Sequence, residues 1–266
     1  MHLTVDGAGV YAHTGGQPFD PAKPAAVFVH GAGLDHTVWA LQTRYVAHHG
    51  FSVLAPDLPG HGRSGGKPLA SVEAIADWIA ALLDAAGAQR AALIGHSMGA
   101  AASLELAARR PQRVAKLALL GIAARLAVHP DLIAAAESDP DLAREMIVDW
   151  AHGARGRIGG NPAAGLWIAN TARRLIDRAG ANRVLAQDLK ACGAWTGGAA
   201  AAAKLACPTL LILGAEDRMT LTKAGNELAG AIAGAQVDVL PDCGHMMMVE
   251  QPDMTLDLLK AFLGTR

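Results

Sequence analysis

The pentapeptide Gly-His-Ser-Met-Gly at positions 95–99 limits the possible folds of this chain more than any other segment. An apolar run at 91–94 and an alanine- and leucine-rich segment at 100–110 flank it, which predicts a β-strand, a sharp turn and an α-helix. A glycine lies two residues to either side of Ser97, where a Cβ would crowd the neighbouring strand or helix. Such a turn lifts the hydroxyl clear of a sheet, so Ser97 is a candidate nucleophile; an ordinary glycine-flanked turn is the alternative.

An acid follows later in the chain. The sequence Thr-Leu-Leu-Ile-Leu-Gly at 209–214 predicts a buried parallel strand. Asp217 comes just after it, at the carboxyl end of the strand, where doubly wound sheets place catalytic groups. A carboxylate there would hold the tautomer of a histidine and stabilise its protonated form. Asp217 is therefore the candidate acid, with Glu216 and the more remote Asp238 as alternatives.

A histidine completes the set. His245 follows a second short predicted strand at 236–240 and precedes three methionines, which would surround a general base with partly apolar groups. The order Ser97, Asp217, His245 is the order in which a nucleophile on a strand–turn–helix is followed by its partners. These residues are therefore predicted to form a catalytic triad, against the simpler interpretation of His245 as a packed loop residue.

Backbone N–H groups close to the serine are candidates for an oxyanion hole, which needs donors aimed at developing negative charge. The N–H of Met98, directly after the nucleophile, is one. The second is expected in the glycine-rich turn at 30–33, where Ala32 is the first choice and Gly33 the alternative. His30 is interpreted as a residue that orients this turn.

The chain resembles the α/β-hydrolase superfamily, in the branch of capped serine hydrolases that includes esterases, enol-lactone hydrolases and cofactor-free haloperoxidase-type enzymes. Besides the segments above, the resemblance rests on Trp39, on Asp-Leu-Pro-Gly-His-Gly-Arg-Ser at 57–64 and on Glu-Gln-Pro at 250–252, and it covers nearly the whole length. It implies an α/β fold with a mostly parallel eight-stranded sheet, helices on both faces and a helical cap. One departure is Arg-Met-Thr at 218–220, where the family often has a proline.

The order of predicted elements divides the chain into a core and an insertion. Strands alternate with helices in the first part, as in βαβ units, with strands at 3–5, 10–14, 26–29, 52–55 and 117–121 and helices at 37–49, 71–86 and 98–110. Proline- and glycine-punctuated helical pieces then follow, at 132–137, 142–150, 166–175 and 183–192. The predicted division is a core at 1–121, a helical cap at 122–194 and the rest of the core at 195–266.

The same division predicts which residues line a substrate pocket. Trp150 and Trp167 are expected from the cap, and Gly33 and Met246 from the core. A lid of this kind would close the pocket and exclude water.

Composition excludes several other classes. The net charge is −1 and no lysine or arginine cluster occurs, which argues against nucleic acid or a membrane as partner. The first residues do not resemble a signal peptide, no run of about 18 apolar residues occurs, and the three cysteines lack a paired spacing, so a cytoplasmic protein is predicted. The sequence does not indicate an oligomeric state.

No cofactor or metal is predicted. Gly60, Gly62 and Gly65 match the dinucleotide pattern, but Gly-Lys-Pro follows at 66–68 and no helix opens there to receive a pyrophosphate. Histidines and carboxylates are not spaced as metal ligands are.

These observations predict a serine hydrolase that acts on carboxylic esters of small to medium apolar compounds through an acyl-enzyme. A C–C bond hydrolase, a lactonase or a perhydrolase with the same triad is the alternative within the family. An alternative of another class is a non-catalytic ligand-binding protein of this fold. Dehalogenase and epoxide hydrolase chemistry is excluded because the turn lacks an aspartate nucleophile.

Overall fold

The computed structural model describes residues 1–154, 174, 176–177 and 181–264. Eight strands form one sheet in the order β1-β2-β4-β3-β5-β6-β7-β8. β1 pairs antiparallel with β2 and β2 with β4, whereas all later pairs are parallel. The strands are β1 His2–Val5, β2 Ala8–His13, β3 Ala25–Val29, β4 Ser52–Pro56, β5 Ala91–His96, β6 Val114–Leu120, β7 Thr209–Gly214 and β8 Gln236–Leu240. The predicted α/β fold with a mostly parallel eight-stranded sheet is confirmed.

The central strands are mostly apolar because helices cover both faces of the sheet. All residues of β3, β4, β5 and β7 are buried. The helices are α1 Ala40–His48, α2 Val72–Ala85, α3 Met98–Arg109, α4 Pro130–Ser138, α5 Pro140–Ala151, α6 Ala181–Ala194, α7 Gly198–Ala202, α8 Thr222–Gly230, α9 Met247–Glu250 and α10 Pro252–Gly264.

Local capping explains where several of these helices begin. The Ser71 hydroxyl accepts a hydrogen bond from the N–H of Ala74 and so caps α2. The helix predicted over 37–49 is instead a 3-10 turn, His36–Trp39, followed by α1. The carboxylate of Asp35 caps this turn by accepting the N–H of Thr37, so the helical segment begins one residue earlier than predicted.

Four of the described helices lie between β6 and β7, and we call the first three of them, α4, α5 and α6, the inserted helices. α4 packs against both α5 and α6. The predicted helical piece at 166–175 lies outside the continuously described residues. None of the helices in the described part of the chain has the length and apolar character needed to cross a bilayer.

The register of the sheet places the site. Val29 of β3 pairs with Gly95 of β5, and His96 pairs with Leu120 of β6. Farther along, Gly214 of β7 pairs with Leu240 of β8. The loops that follow β3, β5, β6, β7 and β8 therefore emerge side by side at one edge of the sheet.

Candidate active site

Ser97 lies in a tight turn between β5 and α3. Its φ is 53° and its ψ is −115°, a conformation that non-glycine residues rarely adopt. The surrounding chain enforces this geometry: a Cβ on Gly95 would collide with the carbonyl oxygen of Gly99, and one on Gly99 with that of Val29. The two glycines let the strand and helix approach each other, and Ser97 is left at the tip between them.

His245 and Asp217 form a buried pair beside the same cavity that Ser97 lines. His245 Nδ1 lies 2.7 Å from Asp217 Oδ2. The other carboxylate oxygen, Oδ1, accepts the N–H groups of Met219 and Thr220, both at 2.8 Å. Burial alone would raise the Asp217 pKa, but the charge of His245 and the hydrogen bonds from His245 and Thr220 lower it below its ordinary value. Asp217 is therefore a carboxylate at neutral pH.

Thr220 is a member of this arrangement that sequence reasoning missed. Its hydroxyl donates to Asp217 Oδ2 at 2.8 Å and lies 3.2 Å from His245 Nδ1. A hydroxyl residue three positions after the acid is the signal that could have found it, because such a residue can turn back onto the carboxylate. Thr220 stands close to where the family often has a proline.

The two alternative acids are placed elsewhere. Glu216 Oε2 accepts the N–H of Ala154, just beyond α5. Asp238 lies on β8, at the edge of the sheet, where its carboxylate accepts from the side chain of Gln236. Asp217 is the acid that the structure brings to His245.

A buried carboxylate holds the loop that carries His245. Glu250 Oε1 accepts the N–H groups of Gly244 at 3.1 Å and Met246 at 3.2 Å, on either side of the histidine. Its other oxygen accepts the N–H of Gly153, after α5, at 2.9 Å. Burial raises the pKa of Glu250. This side chain, noted in the sequence only as part of a motif, connects the histidine loop to the end of an inserted helix.

His96 contacts both the backbone and the ring of His245. Its Nε2 lies 2.9 Å from the carbonyl oxygen of His245, and the two ring centroids are 4.7 Å apart. Burial, with a further contribution from the charge of His245, lowers the pKa of His96 to about 3. The ring is therefore neutral at ordinary pH, and Nε2 carries the proton because a carbonyl can only accept.

The turn after β3 brings Ala32 to the cavity but not Gly33. Ala32 lines the cavity together with Ser97. The N–H of Gly33 points away, donating at 2.9 Å to Asp188 of α6. Met98, the other predicted donor, is the first residue of α3, where a backbone N–H has no acceptor within the helix.

His30 holds this turn as an orienting residue would. Its Nδ1 donates to the carbonyl oxygen of Gly31 at 2.8 Å, and its Nε2 accepts the N–H of Leu58 at 3.1 Å. Burial and the charge of His61 lower the pKa of His30 to about 4. A neutral ring is needed for this pair of bonds, one donated and one accepted.

The cavity has a volume of about 470 Å³, and the inserted helices and the segment before them supply most of its wall. Trp150 lines it, as predicted, and the other apolar residues of the wall are Ala32, Leu126, Ala127, Val128, Pro130, Leu132, Leu189, Cys192 and Met219. Gly33 and Met246 are not among the described residues that line it, contrary to expectation: Leu185 covers Gly33, and Met246 is buried in the core beside α9. Trp167 lies outside the described residues.

A second cluster of polar groups lies away from this cavity. Ligand atoms of Asp35, His36 and Asp57 come within 4.8 Å of one another, a grouping that their sequence spacing did not predict. Their atoms are engaged within the protein: Asp57 Oδ1 lies 2.7 Å from His36 Nδ1, and Oδ2 accepts the N–H of Arg63. These bonds explain the cluster as a structural support for the turn before α1.

Comparison with known proteins places this geometry in context. A family model described as alpha/beta hydrolase fold matches residues 24–252. The chain is 31% identical over 253 residues to a pimeloyl-(acyl-carrier protein) methyl ester esterase of Aromatoleum aromaticum, covering 87% of this chain and 94% of that protein.

Two solved structures are similar over nearly the whole chain. The enol-lactonase of Burkholderia xenovorans LB400 superimposes with a TM-score of 0.87 at 25% identity, covering 100% of both chains. An N-acyl homoserine lactone degrading enzyme, Est816, superimposes with a TM-score of 0.80 at 26% identity, covering 98% of this chain and 100% of that one.

Proposed function

Because the chain belongs to the alpha/beta hydrolase fold family, we propose that this hydrolase cleaves carboxylic esters or related acyl substrates through an acyl-enzyme on Ser97. The observation that carries the proposal is the 2.7 Å contact between His245 and Asp217 beside a cavity that Ser97 also lines. A nucleophile, a base and an acid that orients the base are what acyl transfer requires.

In the proposed reaction, His245 accepts the proton of the Ser97 hydroxyl while Oγ attacks the substrate carbonyl carbon. The tetrahedral intermediate collapses when the protonated His245 gives that proton to the leaving alcohol, which leaves an ester on Ser97. Water, deprotonated by His245, then releases the acid and restores the serine. Asp217, held ionised by its lowered pKa, stabilises the protonated histidine in both halves of the cycle.

Ala32 and Met98 are the proposed donors to the oxyanion. Gly33, the alternative to Ala32, is disfavoured because its N–H is already given to Asp188. Met98 offers a free N–H at the positive end of the α3 dipole, which favours negative charge beside Ser97.

The wall of the cavity supports the proposed substrate size and polarity. A cavity of about 470 Å³ with a mostly apolar wall suits a small to medium apolar acyl or alcohol group. We propose that the inserted helices act as a cap that shapes this space. The lactone-cleaving enzymes among the structural neighbours make a lactone the second candidate substrate.

The test is hydrolysis of p-nitrophenyl esters, from acetyl to dodecanoyl, and of an N-acyl homoserine lactone by wild type and Ser97→Ala. Ester turnover that falls about 10⁶-fold in the variant is expected. Mass spectrometry should detect an acyl group on the wild-type peptide that contains Ser97. Wild-type rates in Ser97→Ala would overturn the proposal.

The remaining outcomes separate the alternatives. Turnover of the lactone but of none of the esters would make a lactone, and not an ester, the substrate class of this protein. A folded protein that turns over neither substrate, but whose Ser97 reacts stoichiometrically with a fluorophosphonate, would favour a C–C hydrolase or a perhydrolase. A serine that does not react would favour a ligand-binding protein.

A further inference from the structure

A carboxylate from an inserted helix contacts the turn that we assign to the oxyanion hole. Asp188 of α6 is 2% exposed, and its Oδ2 accepts the N–H of Gly33 at 2.9 Å. The same oxygen lies 2.8 Å from Nε2 of His61. We propose that Asp188 is a positioning residue that fixes the oxyanion-hole turn from the cap side, an inference that rests on the proposed function.

Two peptide planes determine where the Ala32 N–H points. The first contains the Gly31 carbonyl and the Ala32 N–H, and the carbonyl oxygen is held by His30 Nδ1 at 2.8 Å and by the N–H of Leu34 at 3.3 Å. The second contains the Gly33 N–H, which Asp188 holds. The planes meet at the Cα of Ala32, so the core fixes one side of this donor and the inserted helix fixes the other.

α6 also packs on the turn with an apolar residue. Gly33 has a φ of 66°, and a Cβ there would lie 2.9 Å from Cδ1 of Leu185. Leu185 and Asp188 are three residues apart and so lie on one face of α6. Leu189 and Cys192, which line the cavity, belong to the same side of the helix. One helix face therefore shapes the cavity and holds the turn.

The charge of Asp188 is balanced by His61. Burial alone would lower the pKa of His61, but the charge of Asp188 and the hydrogen bond to it raise the pKa above its ordinary value, with a smaller contribution from Asp57. A buried carboxylate without partners is strongly unfavourable. Asp188 needs both donors, so the helix remains seated on the turn as long as this bond pattern holds.

Truncation of Asp188 separates binding from catalysis. Asp188→Ala leaves the Gly33 N–H without an acceptor and lets the second peptide plane rotate, so kcat is expected to fall about 10- to 100-fold, less than the loss of a whole oxyanion donor. KM should stay within about threefold because the apolar wall is intact. Asp188→Asn keeps an acceptor oxygen and should recover most of kcat.

The control lies on the same helix. Lys190 is two residues further along, is exposed, and pairs with Glu137 of α4. Lys190→Ala should leave kcat and KM unchanged. If Asp188→Ala does not fold, Asp188→Val, which fills more of the space of the side chain than alanine and offers no acceptor, carries the same expectation.

A transition-state analogue makes the test specific for the oxyanion hole. Butylboronic acid adds to a serine hydroxyl as a tetrahedral anion, one oxygen of which occupies the hole. Its inhibition constant should rise in Asp188→Ala by about the factor by which kcat/KM falls, whereas a fluorophosphonate titration should still count one reactive serine per chain.

Two results would contradict the inference, and they differ from failure of the proposed function. Wild-type kcat and boronate affinity in Asp188→Ala, on an ester whose hydrolysis requires Ser97, would overturn this inference alone. A loss of kcat in Asp188→Asn as large as that in Asp188→Ala would also overturn it. An ester rate that does not depend on Ser97 would overturn the proposed function and this inference with it.

Discussion

The core and the inserted helices contribute to one cavity in different ways. On the core side, Ser97, Asp217 and His245 lie in the loops that follow β5, β7 and β8, and the parallel register of these strands brings their ends together. On the side of the inserted helices, hydrogen bonds join residues that are far apart in the chain. Gly33 and Asp188 are 155 residues apart, and Gly153 and Glu250 are 97 residues apart. The difference teaches that local chain geometry presents the proposed reacting groups, whereas long-range hydrogen bonds decide how firmly they are held.

Within this comparison of the two regions, the largest effect is expected on the core side. Asp217→Asn should lower kcat about 10⁴-fold, because the neutral amide neither orients His245 nor stabilises its protonated form. Glu216→Gln is the matched control, since Glu216 is the adjacent acid but binds Ala154 instead. It should change kcat less than about threefold. Steady-state hydrolysis of a p-nitrophenyl ester measures both, and an equal loss in the two variants would show that the acid is misassigned.

The connection through Glu250 tests whether the two regions depend on each other. Glu250→Ala removes the acceptor of three buried N–H groups, so the free energy of unfolding should fall by about 2 to 4 kcal/mol. kcat should fall about tenfold as the His245 loop loosens. Urea denaturation and ester hydrolysis measure the two effects.

Glu105→Ala serves as control for Glu250→Ala. Glu105 is also buried and accepts the Nε1–H of Trp195 at 2.9 Å, but it is not among the residues lining the cavity in the described part of the chain. This variant should lose stability while its kcat remains that of the wild type. A parallel loss of kcat in Glu105→Ala would mean that general destabilisation, and not the histidine loop, explains the Glu250 result.

Low pH should reduce the free energy of unfolding because two buried histidines next to the site, His30 and His96, must then take up protons. The folded pKa values of His30 and His96 are about 4 and about 3, below the 6.5 of an unfolded histidine. Their contribution to stability is therefore complete above pH 6.5 and is lost as the pH falls toward these folded values. The free energy of unfolding should decline by about 1.4 kcal/mol per pH unit for each histidine.

Urea midpoints measured from about pH 7 to about pH 5 test this expectation. His96→Gln should flatten the pH dependence, whereas His129→Gln, an exposed residue just before α4, should leave it unchanged. A wild-type free energy of unfolding that is constant across this range would contradict the expectation.

The smallest expected effect concerns the wall that the inserted helices supply. Leu189→Trp fills part of the cavity, so kcat/KM for an octanoyl ester should fall about tenfold relative to the acetyl ester. Leu142→Trp makes the same change at an exposed leucine of α5 and should not alter the chain-length preference. An unchanged preference in Leu189→Trp would show that the acyl group lies elsewhere.

Most elements of the fold could be predicted because their patterns are local. Apolar runs predicted all eight strands, with ends that differ from the structure by at most a few residues. Other elements were not predicted: α7 has the sequence Gly-Ala-Ala-Ala-Ala, which shows no alternation of apolar and polar residues. Its helical form depends on packing against α3.

The candidate site divides in the same way. Each predicted triad residue has a neighbouring strand and turn that can be recognised in the sequence. The structure brings Asp217 to His245 at the cavity lined by Ser97. Asp188 and Glu250 carry no such signal, because an acidic residue in a helix usually faces solvent. Their partners become known only when the chain is folded.

The sequence by itself therefore determined the sheet and the turn that bears Ser97, and it made Asp217 and His245 the first choices for the proposed acid and base, because glycine positions and apolar periodicity act over a few neighbouring residues. The tertiary structure decided which N–H of the turn at 30–33 remains free and which residues line the cavity. It also decided how the inserted helices are tied to the core. The last of these features depends on hydrogen bonds between buried carboxylates and backbone N–H groups that lie about 100 residues or more apart in the chain. A local sequence pattern does not encode such a long-range hydrogen bond.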